Sequence, residues 1–211
     1  MSPVTLGVVD YGMGNRRSVE KAIEHAGARP VVTGDRDLLR SADGLVVPGV
    51  GAFAAAMERL RASGLDELVA ERAAAGTPLI GLCLGMQLLF ERSSELGGAE
   101  GLGLLEGSVE ALEPDDAALK VPHIGWNEVG FRRSDPLLEG LDGAAAFYHV
   151  HSYAARPADG EVVLGVGDYG GTFTSIVARH PLYGCQFHPE KSSADGLRLL
   201  ANFAEICAGR T

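Results

Sequence analysis

The sequence predicts an α/β fold: a doubly wound, mostly parallel sheet with flanking helices, extended by antiparallel β structure. Three observations carry that expectation. In the first ninety residues short β-rich runs alternate with helical patterns, the order that parallel strands joined by crossovers require. Three of the runs end in glycine-bearing segments, "DYGMGN", "PGVGAF" and "CLGMQ", and such sheets bind ligands at the carboxyl ends of their strands. From Glu95 to about Thr174 the chain turns to short β-like runs among Gly and Pro, the pattern of an antiparallel meander.

The elements follow in order. "VTLGVVD" reads as a buried strand. "NRRSVEKAIEHAG" reads as a helix, with Asn15 as its N-cap and Val19, Ala22, Ile23 and Ala26 at i, i+3, i+4 and i+7. Gly27 stands where a helix C-terminal glycine belongs. "PVVT" and "DGLVVPG" are the second and third strands. "AFAAAMERLRASG" is a helix with Phe53, Ala56, Met57 and Leu60 on one face, and "LDELVAERAAAG" a second one. "TPLIGLC" is the fourth strand and "LGMQLLFER" the helix after it. "GSVEAL", "KVPHIGWNEVGF", "AAFYHVHSYA", "EVVLGVGDYGG" and "TFTSIVAR" make the meander. "LYGCQFHPE" is one more strand ending in a loop. "ADGLRLLANFAEICAG" closes the chain as a helix with Leu197, Leu200, Ala201 and Ala204 facing inward. No repeat, low-complexity tract or linker divides the chain, so residues 1–211 are expected to form a single domain.

Composition narrows the function. Eighteen Lys and Arg against 28 Asp and Glu give a net charge of -10, which argues against nucleic acid or an anionic membrane as the main partner. The three cysteines, Cys83, Cys185 and Cys207, form no Cys-x-x-Cys pair and are too few for a disulfide framework. No basic leader or run of ~18 apolar residues is visible. A cytoplasmic location is expected, where free thiols persist.

Cys83 poses the chemical question. "GLCLG", Gly81 to Gly85, is the thiol version of the G-x-S-x-G nucleophile elbow between strand and helix. Flanking glycines let such a backbone turn sharply, and the N–H groups opening the helix would favour a thiolate. The amide of Leu84 would be one oxyanion donor. A buried, inert thiol is the alternative that this segment alone leaves open. A thiol nucleophile also needs a base held by a third group. Of six histidines, His25 reads as a surface residue and His180 as part of a turn. His188 ends the apolar run "LYGCQF". Pro189 biases it towards an extended backbone, in which residues two apart point the same way, so Glu190 would orient its imidazole. A solvated turn is the plainer reading of "HPE". In "PGVGAF" the small residues let backbone N–H groups approach a substrate, and Val50 or Gly51 would supply the second oxyanion donor. The plainer reading there is a glycine turn. His149 and His151 alternate along one strand at a spacing that also suits a metal, but no third ligand is evident. Asp10, Tyr11 and Asn15 are expected to shape the loop beside the site.

Taken together, "DYGMGN", "PGVGAF", "GLCLGMQLLFE", "KVPHIGWN", "YHVHSY" and "HPEKS" resemble the class I, triad-type glutamine amidotransferases, from about Val4 to Phe203. Within that family they are most similar to the glutaminase subunits of imidazole glycerol phosphate synthases. The resemblance implies a flavodoxin-like fold, and Cys83 as nucleophile, His188 as general base and acid, and Glu190 as orienting carboxylate. Gly49, Gln87, Ser152 and Tyr153 would contact the glutamine. Tyr148 and Lys191 would lie near a (β/α)8-barrel cyclase subunit, forming a heterodimer that uses the ammonia in histidine biosynthesis. No cofactor and no metal are implied. The resemblance departs at Arg16, where leucine is common, and in "ERSSELGG". Other readings are the glutaminase of another synthase, such as the one that makes pyridoxal phosphate, a cysteine peptidase, or a non-catalytic binding protein with a reactive elbow cysteine. A glutaminase firing alone wastes glutamine, so low activity without the partner is expected.

Overall fold

The computed structural model of the chain describes residues 3–210. Strand β1 (Thr5–Val9) leads through helix α1 (Arg16–His25) to β2 (Arg29–Thr33). Short helix α2 (Arg36–Arg40) precedes β3 (Gly44–Gly49). Helices α3 (Phe53–Ser63) and α4 (Leu65–Ala74) lead to β4 (Leu79–Cys83). Next come α5 (Leu84–Leu88), β5 (Phe90–Ser93), β6 (Ala99–Glu100) and β7 (Leu105–Ala111). The extension continues as β8 (His123–Phe131), β9 (Ala144–His151), β10 (Tyr153–Pro157), β11 (Val163–Asp168) and β12 (Thr172–Arg179). Strand β13 (Leu182–Cys185) and helix α6 (Ser193–Cys207) complete it.

All the strands form one sheet. Its parallel part runs β2-β1-β3-β4-β13, the flavodoxin-like order. The antiparallel part continues from β13 through β12, β10 and β7, and β11, β8 and β9 branch from β12. The expected α/β architecture with an antiparallel extension is therefore present. Alternation along the parallel strands sends side chains into two cores. Leu45, Val47 and Leu79 pack with Phe53, Met57, Leu60 and Leu68 of α3 and α4. Leu6, Val8, Val46, Ile80 and Leu82 pack on the other face with Val19 and Ile23 of α1 and Leu199 and Phe203 of α6. The predicted α3 face is the buried one, and Gly27, with φ +86°, follows the C-cap of α1.

Several local expectations need correction. Asn15 occupies the N-cap position of α1 but makes no side-chain capping bond. The short helix α2 escaped the periodicity argument, because five residues are under two turns. Its start is still marked by Asp35, whose carboxylate accepts from the N–H groups of Asp37 and Leu38. "LGMQLLFER" is not one helix. After a single turn the chain becomes β5, which pairs with β6 and β7. Leu88, Leu89 and Phe90 are all fully buried, and a run enclosed on every side carries the same apolar pattern as a one-sided helical stripe. In α6 the inward seam is Gly196, Leu199, Leu200, Phe203, Ala204 and Ile206, and Leu197 and Ala201 are only partly buried. "AAFYHVHSYA" is two strands, broken at Ser152.

Glycine sets how closely the elbow packs. A Cβ on Gly85 would lie 1.8 Å from the Val47 carbonyl oxygen, and one on Gly81 would lie 2.4 Å from the Gly85 carbonyl oxygen. Neither glycine has positive φ, so they serve close backbone approach rather than the sharp turn expected of them. Gly85→Ala is expected to lower stability by about 3 kcal/mol by overpacking, whereas Gly160→Ala, where a Cβ meets open space, changes it little. Urea unfolding midpoints of the two variants check this, and equal midpoints would refute it.

Candidate active site

The turn at the end of β4 is made by Cys83 itself, at φ 54° and ψ -113°. A non-glycine residue held there is strained by ~1–3 kcal/mol, and such strain collects at functional sites. The parallel pairing of β3 with β4 sets Gly49 level with Cys83, which brings the 48–53 loop beside the sulfur. The pairing of β13 with β4 sets Cys185 level with Leu82, so the chain leaving β13 reaches the same edge. Cys83, His188, Val50, Gly51, Leu84, Gln87, Ser152, Tyr153 and Lys191 all line one cavity of about 300 Å³. Of the expected site residues, Gly49, Tyr148 and Glu190 do not line it. Gly49 is buried beneath the elbow, where a Cβ would meet the Tyr11 hydroxyl, Leu84 and Gly85.

His188 Nδ1 lies 2.9 Å from Glu190 Oε1, and the glutamate side chain is almost wholly buried. The expected adjacency is present, but the expected reason is not. Glu190 sits in a 3-10 turn, Pro189–Lys191, rather than in extended chain. The turn is anchored from behind by the buried Ser192, whose hydroxyl donates to the His188 carbonyl at 2.7 Å and accepts from the Tyr148 N–H at 2.9 Å. The His188 N–H donates to the Tyr148 carbonyl at 2.9 Å. Burial alone pulls the His188 imidazole down. Hydrogen bonds to Cys83 and Glu190, with the charges of both, outweigh burial and push it up to about 9. That combination suits an imidazole that holds a proton beside the sulfur.

Sequence reasoning missed three contributors. Glu95 lines the cavity, and its Oε2 accepts from the Phe53 N–H at 2.6 Å. It caps α3 from 42 residues away in the chain, where Ala52 at the N-cap position offers no side-chain acceptor. Gln186, fully buried, accepts from Gln87 Nε2 at 2.9 Å, and its own Nε2 lies 3.9 Å from Cys83 Sγ. Its place two residues before His188 was the available signal. Ser192 completes the set. Tyr11, expected to shape the loop beside the site, has its hydroxyl donating to the Pro48 carbonyl at 2.7 Å. Gln87 Nε2 also donates to the Tyr153 carbonyl at 3.0 Å. With both amide hydrogens in use, only its Oε1 is left for a ligand. Arg16 pairs with Asp10 at the mouth of the "DYGMGN" loop.

Just past Pro122, which lines the cavity, strand β8 exposes two large apolar side chains. Ile124 and Trp126 of β8 are 59% and 54% exposed, and Tyr148 packs edge-on to Trp126 with ring centroids 6.2 Å apart. Lys191 is exposed as well as cavity-lining. Among the described residues no helix is long and apolar enough to cross a membrane.

The family model "Glutamine amidotransferase class-I" matches residues 7–207. The chain is 46% identical over 208 residues to imidazole glycerol phosphate synthase subunit HisH of Geobacillus thermodenitrificans, covering 97% of each chain. It is 48% identical over 201 residues to the subunit of the same name from Moorella thermoacetica, covering 95% of this chain and 94% of that one. Among solved structures it resembles PurLQS from Thermotoga maritima, with a TM-score of 0.75 at 18% identity, covering 98% of this chain and 99% of that one.

The His188 geometry predicts a pH response. Its folded-state value of about 9 lies above the ~6.5 of an unfolded chain. Its stabilising contribution is therefore full below about pH 6.5 and is lost as pH rises through about 9. Glu190→Gln removes the buried charge and lowers the His188 titration, read from its ring protons by NMR. An unmoved titration would contradict the pairing.

Proposed function

The chain belongs to the class-I glutamine amidotransferase family and, within it, to the HisH subunits of imidazole glycerol phosphate synthase, and from that premise we propose that a single domain spanning the chain hydrolyses glutamine through a cysteinyl thioester. The ammonia passes to a (β/α)8-barrel cyclase subunit in a heterodimer, for imidazole glycerol phosphate and aminoimidazole carboxamide ribotide formation in histidine biosynthesis. Cytoplasmic placement belongs to the same proposal. The observation that carries the mechanism is the shared cavity. Cys83, strained at the elbow, opens onto the same space as an imidazole held at 2.9 Å by a buried carboxylate.

In this mechanism the Cys83 sulfur attacks the side-chain carbonyl carbon of glutamine, and the carbonyl electron pair moves onto oxygen. The Leu84 amide and a second N–H from Val50 or Gly51 hold that oxyanion, at a worth of ~10²–10³ in rate for one donor. As the pair returns, the C–N bond breaks, and the His188 proton goes to the departing nitrogen as ammonia. His188 then takes a proton from water, which attacks the thioester, and glutamate leaves as the proton returns to sulfur. Glu190 holds the imidazole throughout. Ser152 and Tyr153 contact the amino-acid end of the substrate, and Gln87 contributes through its remaining oxygen. The exposed Ile124 and Trp126, with Tyr148 and Lys191 nearby, support docking of the cyclase on this side. Ammonia released there is shielded from the water that would protonate it. Two conformations of the 48–53 loop, tolerated at Gly51 (φ +98°), would keep the lone subunit slow.

The test is ammonia release from glutamine with the cyclase subunit and its ligand present. Cys83→Ala is expected to lose activity by on the order of 10³-fold or more, with binding to the cyclase retained. Release unchanged in that variant would overturn the mechanism. Equal wild-type rates with and without the liganded cyclase would overturn the regulation.

A further inference from the structure

The glutaminase mechanism leaves three buried histidines without a task. His123 is 2% exposed, His149 0% and His151 5%, all on the paired strands β8 and β9, with His123 directly opposite His151. Among the described residues no group of three or more His, Cys, Asp and Glu side chains is arranged to hold a metal. Hydrogen bonds account for the cluster, and they fix its protons.

The assignment starts from a group that can only accept. His151 Nδ1 lies 2.9 Å from the Tyr153 carbonyl oxygen, so that nitrogen carries the hydrogen. A neutral His151 then has a bare Nε2, which lies 3.0 Å from His123 Nδ1. His123 Nδ1 must therefore be the donor. That leaves His123 Nε2 bare, facing the Asn127 amide at 3.4 Å. Asn127 also donates to the Asp168 carbonyl at 2.7 Å. His149 obeys the same rule, with Nδ1 donating to the Phe147 carbonyl and Nε2 accepting from the Ser175 hydroxyl. All three rings are Nδ1–H tautomers, the minor form of free imidazole in water. His123 and His151 each need a bare Nε2 and so must stay neutral. Burial pulls His149 down to about 3 and His151 to about 4. His123 is clamped in orientation, stacked on Tyr169 at 4.0 Å and on His149 at 5.2 Å between centroids.

The chain of donors runs one way and ends at the cavity. The Tyr153 carbonyl that accepts from His151 also accepts from Gln87 of the elbow helix, and His151, Ser152, Tyr153 and Gln87 all line the cavity. We propose that His123 and His151 are positioning residues, whose directional hydrogen bonds from Asn127 to the Tyr153 carbonyl lock the main chain at Ser152–Tyr153 and so set the affinity for glutamine. The proposal rests on the glutaminase reading. It also gives β8 two roles, since its outward residues Ile124 and Trp126 alternate with His123 and Asn127.

Two measurements test it on the full chain. Long-range proton–nitrogen NMR should show Nδ1–H tautomers at His123 and His151, with His151 neutral at pH 6. An Nε2–H form at either ring would overturn the proposal. In the complex with the cyclase, His123→Ala should raise KM for glutamine about tenfold, the loss of one hydrogen bond, with kcat within about twofold. His123→Asn should restore KM to within about threefold, because its amide N–H lies where Nδ1–H stood. An unchanged KM in the alanine variant, or no rescue by asparagine, would overturn it. If the alanine variant does not fold, the wild-type tautomers decide. A wild type that releases no ammonia sinks the glutaminase reading instead, and leaves the tautomer result standing.

Discussion

The backbone of α5 lies directly on the backbone of β3, and the rest of the site is built around that contact. With no side chain on Gly85, the first helical turn after Cys83 settles against the Val47 carbonyl, and Gly81 and Gly49 allow the same closeness from below. Close packing fixes three strand ends relative to one another. β3 delivers the 48–53 loop, β4 the sulfur and β13 the imidazole, and each is a register neighbour of the next. Small errors at this junction would be felt in the chemistry, because positioning to well under 1 Å separates productive from idle catalytic groups.

Much of this was legible in the chain, for physical reasons that differ by element. The parallel strands and α3 were readable because a buried face leaves a periodic signature, and Phe53, Ala56, Met57 and Leu60 carry it without interruption. Cys83 and His188 were readable because glycine and proline mark strand ends. What failed were segments buried on every side. Leu88 to Phe90 carry no face to read, so the strand after the elbow was hidden. Glu95 was illegible for another reason. Its acceptor role depends on the fold bringing it to the start of α3, and no local pattern records that meeting. Gln186 lies between these cases. It was visible by its spacing from His188, but its importance comes from a partner, Gln87, 99 residues away in the chain.

The antiparallel extension is more than a cover for the sheet edge. It encloses a polar core of imidazoles, an amide and a hydroxyl, in which each buried nitrogen has a partner. Buried polar networks of this kind are costly unless complete, and when complete they hold one geometry. The neighbouring apolar core of Phe147 and Phe187, stacked 3.9 Å apart, tolerates more variation in detail. The stiff part of the extension is thus the polar part, and it borders the cavity.

The backbone angle at Cys83 has an evolutionary corollary. At φ 54° the residue that would relieve the strain is glycine, which lacks the Cβ that makes this region unfavourable. Selection for a sturdier fold alone would thus push this codon away from the thiol. Lineages released from the need for ammonia should erode here early, while the glycines beneath, required by packing, persist as fossils of a lost trade.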